Sequence, residues 1–351
     1  MTTTDEASTG RPTKATAMRT TWPVRVAGLA GLVALTGVAV LLSLGLGAQS
    51  LHPGEVWSAL VAPDGGDATA VVRELRLPRT VLGVLVGLAL GVAGALIQGH
   101  TRNPIADPGL LGVSAGASFA VVLGMAVFGV GSLTGYIWFA FAGALAASLV
   151  VFGLGATQRG GPTPVTLALA GMAISALLSS FTSSLLLADS ASLNSFRFWV
   201  VGSLSGRELD VAGQVAPFIV VGLVLAAINA PALNALGLGE DVARALGQHI
   251  GLARTVGITA IMLLTGAATA ACGPIGFVGL AVPHLARALT GPDHRWLLPY
   301  SAFVGVCVVL LADVAGRLIA RPAELQTGIV LAVLGAPFFV YLVRRVRLVS
   351  L

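Results

Sequence analysis

Two charged residues stand out in an otherwise apolar stretch, Asp313 and Arg317 in LLADVAGR. Charge within a membrane is costly and marks functional candidates. The spacing of four residues places both side chains on one face of a helix, in a good order for an ion pair. Two interpretations follow. We favour a local pair, with Arg317 near the outer membrane surface; the alternative is a proton or ion relay through Asp313.

A second charged stretch is GLGEDVARALGQ, residues 237–248, which lies between two long apolar runs. Gly239 is suited to the turn before a short helix. Glu240 and Asp241 then fall in its first turn, where acidic groups complement the helix dipole. Gly247 is a plausible C-terminal stop. The pattern predicts a short polar helix between two apolar segments.

The sequence offers little enzymatic chemistry. It has no Ser/His/Asp set, paired carboxylates or metal-ligand cluster that stands out, and no phosphate-binding Gly-x-x-x-x-Gly-Lys-Ser/Thr loop. The two cysteines, Cys272 and Cys307, lie far apart in apolar segments and are interpreted as small core residues. We therefore expect no catalytic residues, no metal site and no directly bound cofactor.

Composition indicates a membrane protein. The chain is 56% hydrophobic and 10% charged, whereas a soluble domain carries about 25% charged residues. The net charge of +5 is therefore interpreted as loop charge that orients the chain in a lipid bilayer, and not as a nucleic-acid-binding surface.

The apolar runs are near the length that a membrane-spanning helix needs, about 20 residues. They predict an all-α polytopic membrane protein with about ten transmembrane helices. The predicted spans are 24–46, 79–98, 108–129, 135–157, 164–188, 213–231, 254–272, 276–290, 297–320 and 325–344. The eighth is short and follows CGPIGF, which suggests a broken or re-entrant start.

Positive charge sets the predicted orientation, since cytoplasmic loops carry an excess of Lys and Arg. Most of the 20 basic residues fall on one side if both termini are cytoplasmic. Residues 1–22 are then a disordered cytoplasmic tail, 23–347 form the transmembrane domain, and 237–248 faces the cytoplasm. The outer side holds Arg73, Arg76, Arg79, Arg197, Arg207, Arg317 and Arg321.

Two further patterns concern packing. Gly83, Gly87 and Gly91 share one face of the second span, and such small residues let helix backbones approach closely in lipid. We favour packing within the chain over a dimer contact. The segment 195–205 is too short to span, and its Phe198 and Trp199 suit the membrane interface.

Seven motifs, in order and spacing, resemble the FecCD-type, BtuC-like permease family. They are RLPR (76–79), RNPIADPGLLGVSAGA (102–117), LGEDVARALG (238–247), GPIGFVGLAVPHLAR (273–287), DHRWLLP (293–299), LLADVAGR (310–317) and AELQTGIVLAVLGAPFFVYLVRR (323–345). The resemblance covers roughly residues 24–347. It implies the fold of a type II ATP-binding-cassette (ABC) importer permease in the cell membrane.

The resemblance also implies partners. They are two ABC ATPase subunits, which use ATP and Mg²⁺, a second permease subunit that is a copy or a paralogue, and an extracytoplasmic substrate-binding protein. The absence of a phosphate-binding loop fits, because nucleotide chemistry would belong to the ATPase.

Individual positions carry over from the family motifs. The segment 238–247 matches the ATPase-coupling segment, with Ala243 small enough for close contact, Arg244 bonding to the partner and Leu246 as an apolar knob. On the outer side, Arg76, Arg79 and Arg317 match positions that pair with acidic residues of the binding protein. Pro164 and Val165 stand where the family often has small hydroxyl residues near the cytoplasmic gate, so no gate residues are assigned.

The expected function is import of a ferric siderophore by alternating access, driven by the partner ATPase. A cobalamin or haem importer is the alternative within the family. From another class, a proton-coupled secondary transporter would use Asp313 as its relay. A non-transporting scaffold is disfavoured, because partner-type motifs lie on both faces.

Overall fold

The computed structural model describes residues 22–131, 133–157 and 164–345, and these residues form helices and connecting loops. Most of the predicted N-terminal tail, residues 1–21, lies outside this range. The helices are α1 Trp22–Gly45, α2 Pro53–Val61, α3 Asp67–Ala70, α4 Leu77–Thr101, α5 Val113–Ala126, α6 Leu133–Ala156, α7 Pro164–Ala188, α8 Ser190–Val200, α9 Leu209–Gly237, α10 Glu240–Ala245, α11 Ile250–Cys272, α12 Val278–Thr290, α13 His294–Ile319 and α14 Thr327–Arg345.

The predicted all-helical membrane fold is confirmed. Among the described residues, seven helices are long and apolar enough to cross a membrane; α3 and α4 count as one, because the π-helical segment Val71–Arg76 joins them. α5, α12 and α14 occupy the remaining predicted spans, and of these α5 and the part of α14 up to Tyr341 are short apolar helices. The predicted total of about ten membrane segments is therefore consistent with the structure.

Two breaks shorten α5 and α12. Before α5, the Asp107 carboxylate accepts a hydrogen bond from the Gly109 amide and starts a 3₁₀ turn, Pro108–Leu111. Between α11 and α12 the backbone turns at Gly273 and Phe277, both with positive φ. Phe277 is unusual there, since its Cβ disfavours that conformation. The chain thus re-enters the protein before α12, as CGPIGF suggests.

The helix ends meet in two clusters on opposite sides of the protein. At one, which we call the α10 end, an Asn234 amide donates to Asp293 at 2.6 Å and Arg25 lies 3.7 Å from the same carboxylate. At the other, the arginine end, Thr327 donates to Asp313 at 2.8 Å. The start of α1 and the whole of α10 therefore share one end, as the predicted topology requires.

α4 forms the centre of the bundle by packing against α13 along its glycine face. A Cβ on Gly87 would lie 2.5 Å from the Val306 Cα, and one on Gly91 would collide with the Ser301 carbonyl oxygen. Gly83 lies beneath Leu310 in the same way. The glycine pattern serves packing within the chain, as we favoured.

The interfacial assignment of 195–205 is wrong for Trp199. α8 begins earlier, at Ser190, because the Asp189 carboxylate accepts hydrogen bonds from the Ala191 and Ser192 amides and caps it. Trp199 is buried and stacks on Phe196, whereas Phe198 points outward. Helical rotation puts these neighbours on different faces, which a composition-based assignment does not resolve.

The close approach of α4 and α13 predicts the cost of enlarging Gly91. Gly91→Ala should destabilise the fold by about 1–3 kcal/mol, the usual cost of overpacking, and lower the thermal unfolding midpoint of the purified protein in detergent. Gly37→Ala is the matched control, because a Cβ there meets nothing within 4 Å. Equal midpoints for the two variants would contradict this account of the glycine face.

Candidate functional site

The centre of the arginine end is the carboxylate of Asp313, which is fully buried. Arg79 donates to it from Nε at 2.9 and 3.0 Å and from Nη2 at 2.8 Å. Arg317 contacts the second oxygen at 3.0 Å, and the Thr327 hydroxyl donates to the first. One carboxylate therefore holds two guanidinium groups and joins α4, α13 and the start of α14.

Arg79 also reaches outward from this centre. Its Nη1 donates to the Glu324 carboxylate at 2.6 Å, and the Ser205 hydroxyl donates to the same oxygen at 3.3 Å. Asp313 is buried while Glu324 is partly exposed. Arg79 thus links a buried carboxylate to one at the surface.

Two other arginines satisfy the C-terminal carbonyls of α1. Arg317 donates to the Ser43 and Leu46 carbonyls at 2.9 and 2.8 Å. Arg76 donates to the Leu44 and Gly45 carbonyls at 2.9 and 2.7 Å. The last carbonyls of a helix lack partners within the helix, and cations there are stabilising. α1 is therefore held to the bundle through its C-terminal end.

This geometry does not suit Arg76, Arg79 and Arg317 as exposed docking charges. All three are buried, and each guanidinium donates hydrogen bonds to groups of this chain. A buried and bonded side chain presents little charge to a protein that docks outside. Arg321 and Glu324, which adjoin them, are exposed instead.

The same contacts separate the two interpretations of Asp313. The predicted ion pair with Arg317 is present at 3.0 Å. A relay needs a carboxylate that exchanges protons with water, whereas Asp313 is enclosed by two cations and a hydroxyl. The structure supports the structural pair.

Beside this cluster lies a cavity of about 410 Å³ that opens at the arginine end. Ser203, which lines this cavity, lies at a crossing of three segments. Its amide donates to the Cys272 carbonyl at 2.8 Å, and the Gly328 amide donates to the neighbouring Gly202 carbonyl at 2.9 Å. Gly202 has positive φ, and a Cβ on it would collide with the Pro274 carbonyl oxygen. The break after α11 thus packs against the loop that contributes Ser203 to the cavity wall.

Arg207 lies in the wall of this cavity, in the loop before α9. It is 7% exposed, and its Nε has no hydrogen-bond partner within the part of the chain that the structure describes. Burial lowers the pKa of the Arg207 guanidinium from its ordinary value. The sequence predicted only that Arg207 is one of the basic residues on the outer side of the membrane. A buried position without a counter-ion depends on tertiary packing and leaves no local signal.

At the opposite end, α10 has the predicted form. Gly239 precedes it with positive φ, and Gly247, also with positive φ, follows its last turn. Arg244 lies 3.0 Å from Asp241 and 3.5 Å from Glu240. Glu240 in turn contacts Arg254 of α11 at 2.5 Å. An ion pair therefore fastens the short helix to α11.

The predicted contact residues of α10 divide into two groups. Ala243 is fully buried in a cluster with α9 and α11 residues, including Leu236 and Ile250. It cannot touch another protein in this conformation, so its predicted contact role does not hold; its small size serves packing on α9. Leu246 is 60% exposed and Arg244 is also exposed, so both are available to a partner.

The start of α7, where the family often has small hydroxyl residues near the cytoplasmic gate, is described only in part. α7 begins at Pro164, and Val165 is 67% exposed. Thr163 lies outside the described residues. These positions carry no gate assignment.

Comparison with known proteins identifies a family whose sequence profile matches this chain. The sequence profile of the FecCD transport family matches residues 35–345. The chain is 45% identical over 321 residues to the ferric enterobactin transport system permease protein FepD of Escherichia coli, covering 92% of this chain and 96% of the relative. It is 41% identical over 306 residues to the Fe(3+)-citrate import system permease protein YfmD of Bacillus subtilis, covering 87% and 91%.

A solved structure also resembles the chain. It is an inward-facing conformation of a protein assigned to the metal-chelate type of ABC transporter. The TM-score is 0.80 at 30% identity, over 92% of this chain and all of the other. Sequence and fold therefore agree on the same class of membrane protein.

The arginine end generates a stability prediction. Asp313→Asn removes the charge that compensates Arg79 and Arg317, and breaking a buried pair costs about 3–5 kcal/mol. The thermal unfolding midpoint in detergent should fall well below that of the wild type. Asp241→Asn is the control, because its carboxylate is 99% exposed and surface pairs contribute at most about 1 kcal/mol. A midpoint for Asp313→Asn as high as that of the control would refute the central role of this carboxylate.

Proposed function

Because this chain belongs to the FecCD transport family, we propose that it imports a ferric siderophore or a related iron chelate. It is a permease, a membrane subunit of an ABC transporter, and not an enzyme. The observation that carries the substrate proposal is the near full-length similarity to permeases for ferric enterobactin and iron(III) citrate.

In this proposal, the driving force comes from outside the chain. Two ATPase subunits bind and hydrolyse ATP with Mg²⁺, a second permease subunit completes the membrane pathway, and a substrate-binding protein delivers the chelate. The α10 end faces the cytoplasm, together with both termini, and the arginine end faces outward.

α10 is suited to transmit movement of the ATPase. It is fixed to α9 by the buried Ala243 and to α11 by the Glu240–Arg254 ion pair. Its outer surface exposes Val242, Arg244 and Leu246. A force applied to that surface would therefore reach two membrane helices, α9 through the buried Ala243 and α11 through the partly exposed ion pair.

The arginine end is suited to receive a binding protein. The residues in direct contact would differ from the three arginines that the motifs imply. Arg76, Arg79 and Arg317 would act indirectly, by holding α1, α4, α13 and α14 in place. Direct electrostatic contact would fall to the exposed Arg321 and Glu324. Exposed charges of this kind mainly steer association and set orientation.

A coupling test follows from the exposed apolar side chain of α10. Leu246→Asp should lower chelate-stimulated ATP hydrolysis and uptake by about tenfold or more, since a central apolar contact is worth about 2 kcal/mol or more in a protein interface. Arg244→Glu should act in the same direction by adding a third acid beside Glu240 and Asp241. Uptake in proteoliposomes and ATPase activity are the measurements.

The controls for this test keep the chemistry of each position. Leu246→Met preserves an apolar contact and Arg244→Lys preserves charge, so both should couple nearly as well as the wild type. Membrane levels must match in every variant. Normal uptake by both Leu246→Asp and Arg244→Glu would refute a coupling role for α10.

A docking test distinguishes residues of the arginine end that contact the binding protein from residues that stabilise the fold. Arg321→Glu should weaken binding-protein association at low salt, with a smaller effect at high salt, because exposed charges are screened. Arg79→Gln should instead lower the thermal unfolding midpoint, because Asp313 and Glu324 lose a partner. A stable Arg79→Gln variant with salt-sensitive loss of docking would favour the direct role implied by the motifs.

A further inference from the structure

The guanidinium of Arg207 is buried and lacks a counter-ion. Its Nε has no hydrogen-bond partner, and no carboxylate lies within ion-pair distance of it among the described residues. Burying a charged group without compensation is costly, so buried charges are normally paired. The other buried arginines of this end have oxygen partners: Arg79 and Arg317 share Asp313, and Arg76 donates to backbone carbonyls, although the Nε of Arg317 is also unpaired. Among the described residues, Arg207 is the buried arginine of this end with neither an ion pair nor a hydrogen bond to oxygen.

The cavity beside Arg207 supplies the space for a missing partner. Two guanidinium groups, those of Arg79 and Arg207, contribute to its walls, against one carboxylate, that of Glu324. Arg79 already shares its charge between Glu324 and the buried Asp313. The charge of Arg207 is therefore available to a molecule bound in the cavity.

The rest of the cavity wall resembles a binding site for a small molecule more than a site for a single acidic side chain. Three aromatic residues line the cavity, the buried Tyr136 and Trp199 and the exposed Phe198, together with the polar residues Ser203 and Gln326. Its volume of about 410 Å³ lies within the range of about 300–1,000 Å³ that such sites occupy, and sites of this kind combine apolar walls with a few fixed polar groups.

We propose that this cavity binds an anionic oxygen group of the transported metal chelate, with Arg207 as the residue that recognises its charge. The proposal rests on the proposed function and extends it to substrate class, because iron(III) chelators that use carboxylate or catecholate oxygens are commonly anionic. A chelate released at the arginine end would meet Arg207 beside the opening of the cavity. Arg207 would then discriminate anionic chelates from uncharged ones before translocation.

A single acidic side chain from a docked protein is the competing occupant. It would also neutralise Arg207. It would leave most of the cavity volume and the aromatic wall unused, so the chelate is favoured. The two sources differ in a measurable way, because a lone carboxylate does not need the metal complex around it.

The test uses the full chain in lipid nanodiscs, with tryptophan fluorescence as the readout, since Trp199 lines the cavity. The probes are iron(III)–citrate, an uncharged iron(III) trihydroxamate chelate, and acetate. Arg207→Gln should weaken iron(III)–citrate binding about tenfold or more, because it replaces a charge-assisted hydrogen bond by a neutral one. Binding of the trihydroxamate should be weaker in the wild type and unchanged in the variant.

Control variants separate charge recognition from folding. Arg207→Lys keeps the charge and should retain most of the affinity. Arg73→Gln removes an exposed arginine of the same end, which bonds to the Ala59 and Leu60 carbonyls outside the cavity, and should bind as the wild type does. If Arg207→Gln does not fold, the comparison of the three probes on the wild type still decides the matter.

Three outcomes would overturn the inference. They are equal affinity of the wild type for charged and uncharged chelates, unchanged iron(III)–citrate binding by a folded Arg207→Gln variant, and acetate binding as tight as that of iron(III)–citrate, which would favour a docked acidic side chain. Failure of the proposed function is a separate result, namely no ATP-dependent uptake of any iron chelate by the wild-type complex.

Discussion

The buried carboxylate of Asp313 is the interaction on which the arrangement of the arginine end depends. It compensates Arg79 and Arg317 together, and these two arginines then extend to Glu324 at the surface and to the final carbonyls of α1. Inside a bilayer no water is available to satisfy such groups. The charges of this network are therefore compensated within the protein, and the network joins α1 and α4 to the consecutive helices α13 and α14.

The close packing of the bundle centre complements this polar network. α4 and α13 approach along glycines, so their backbones meet where side chains would otherwise keep them apart. This contact aligns Arg79 of α4 with Asp313 of α13. In lipid, helix association gains little from the hydrophobic effect and relies on close packing and polar contacts. Here the two kinds of contact occur on the same pair of helices.

The two ends of the protein differ in how their charges are used. At the α10 end, exposed side chains surround a short helix whose buried face is fixed to α9 and α11. That arrangement suits a surface on which another protein acts. At the arginine end four arginines are buried, and one of them, Arg207, has no ion-pair partner among the described residues and lies beside an open cavity. That arrangement suits a site that receives an anion.

The sequence by itself determined the membrane class, most helical spans, the short helix at 240–245 and the Asp313–Arg317 pair. These features depend on composition, periodicity or spacing within one helix. Only the tertiary structure decided that Arg79 shares Asp313 across 234 positions of the chain, that Ala243 is buried, and that Arg207 has no counter-ion among the residues described. Burial and charge compensation depend on which helices become neighbours, and no local pattern specifies that.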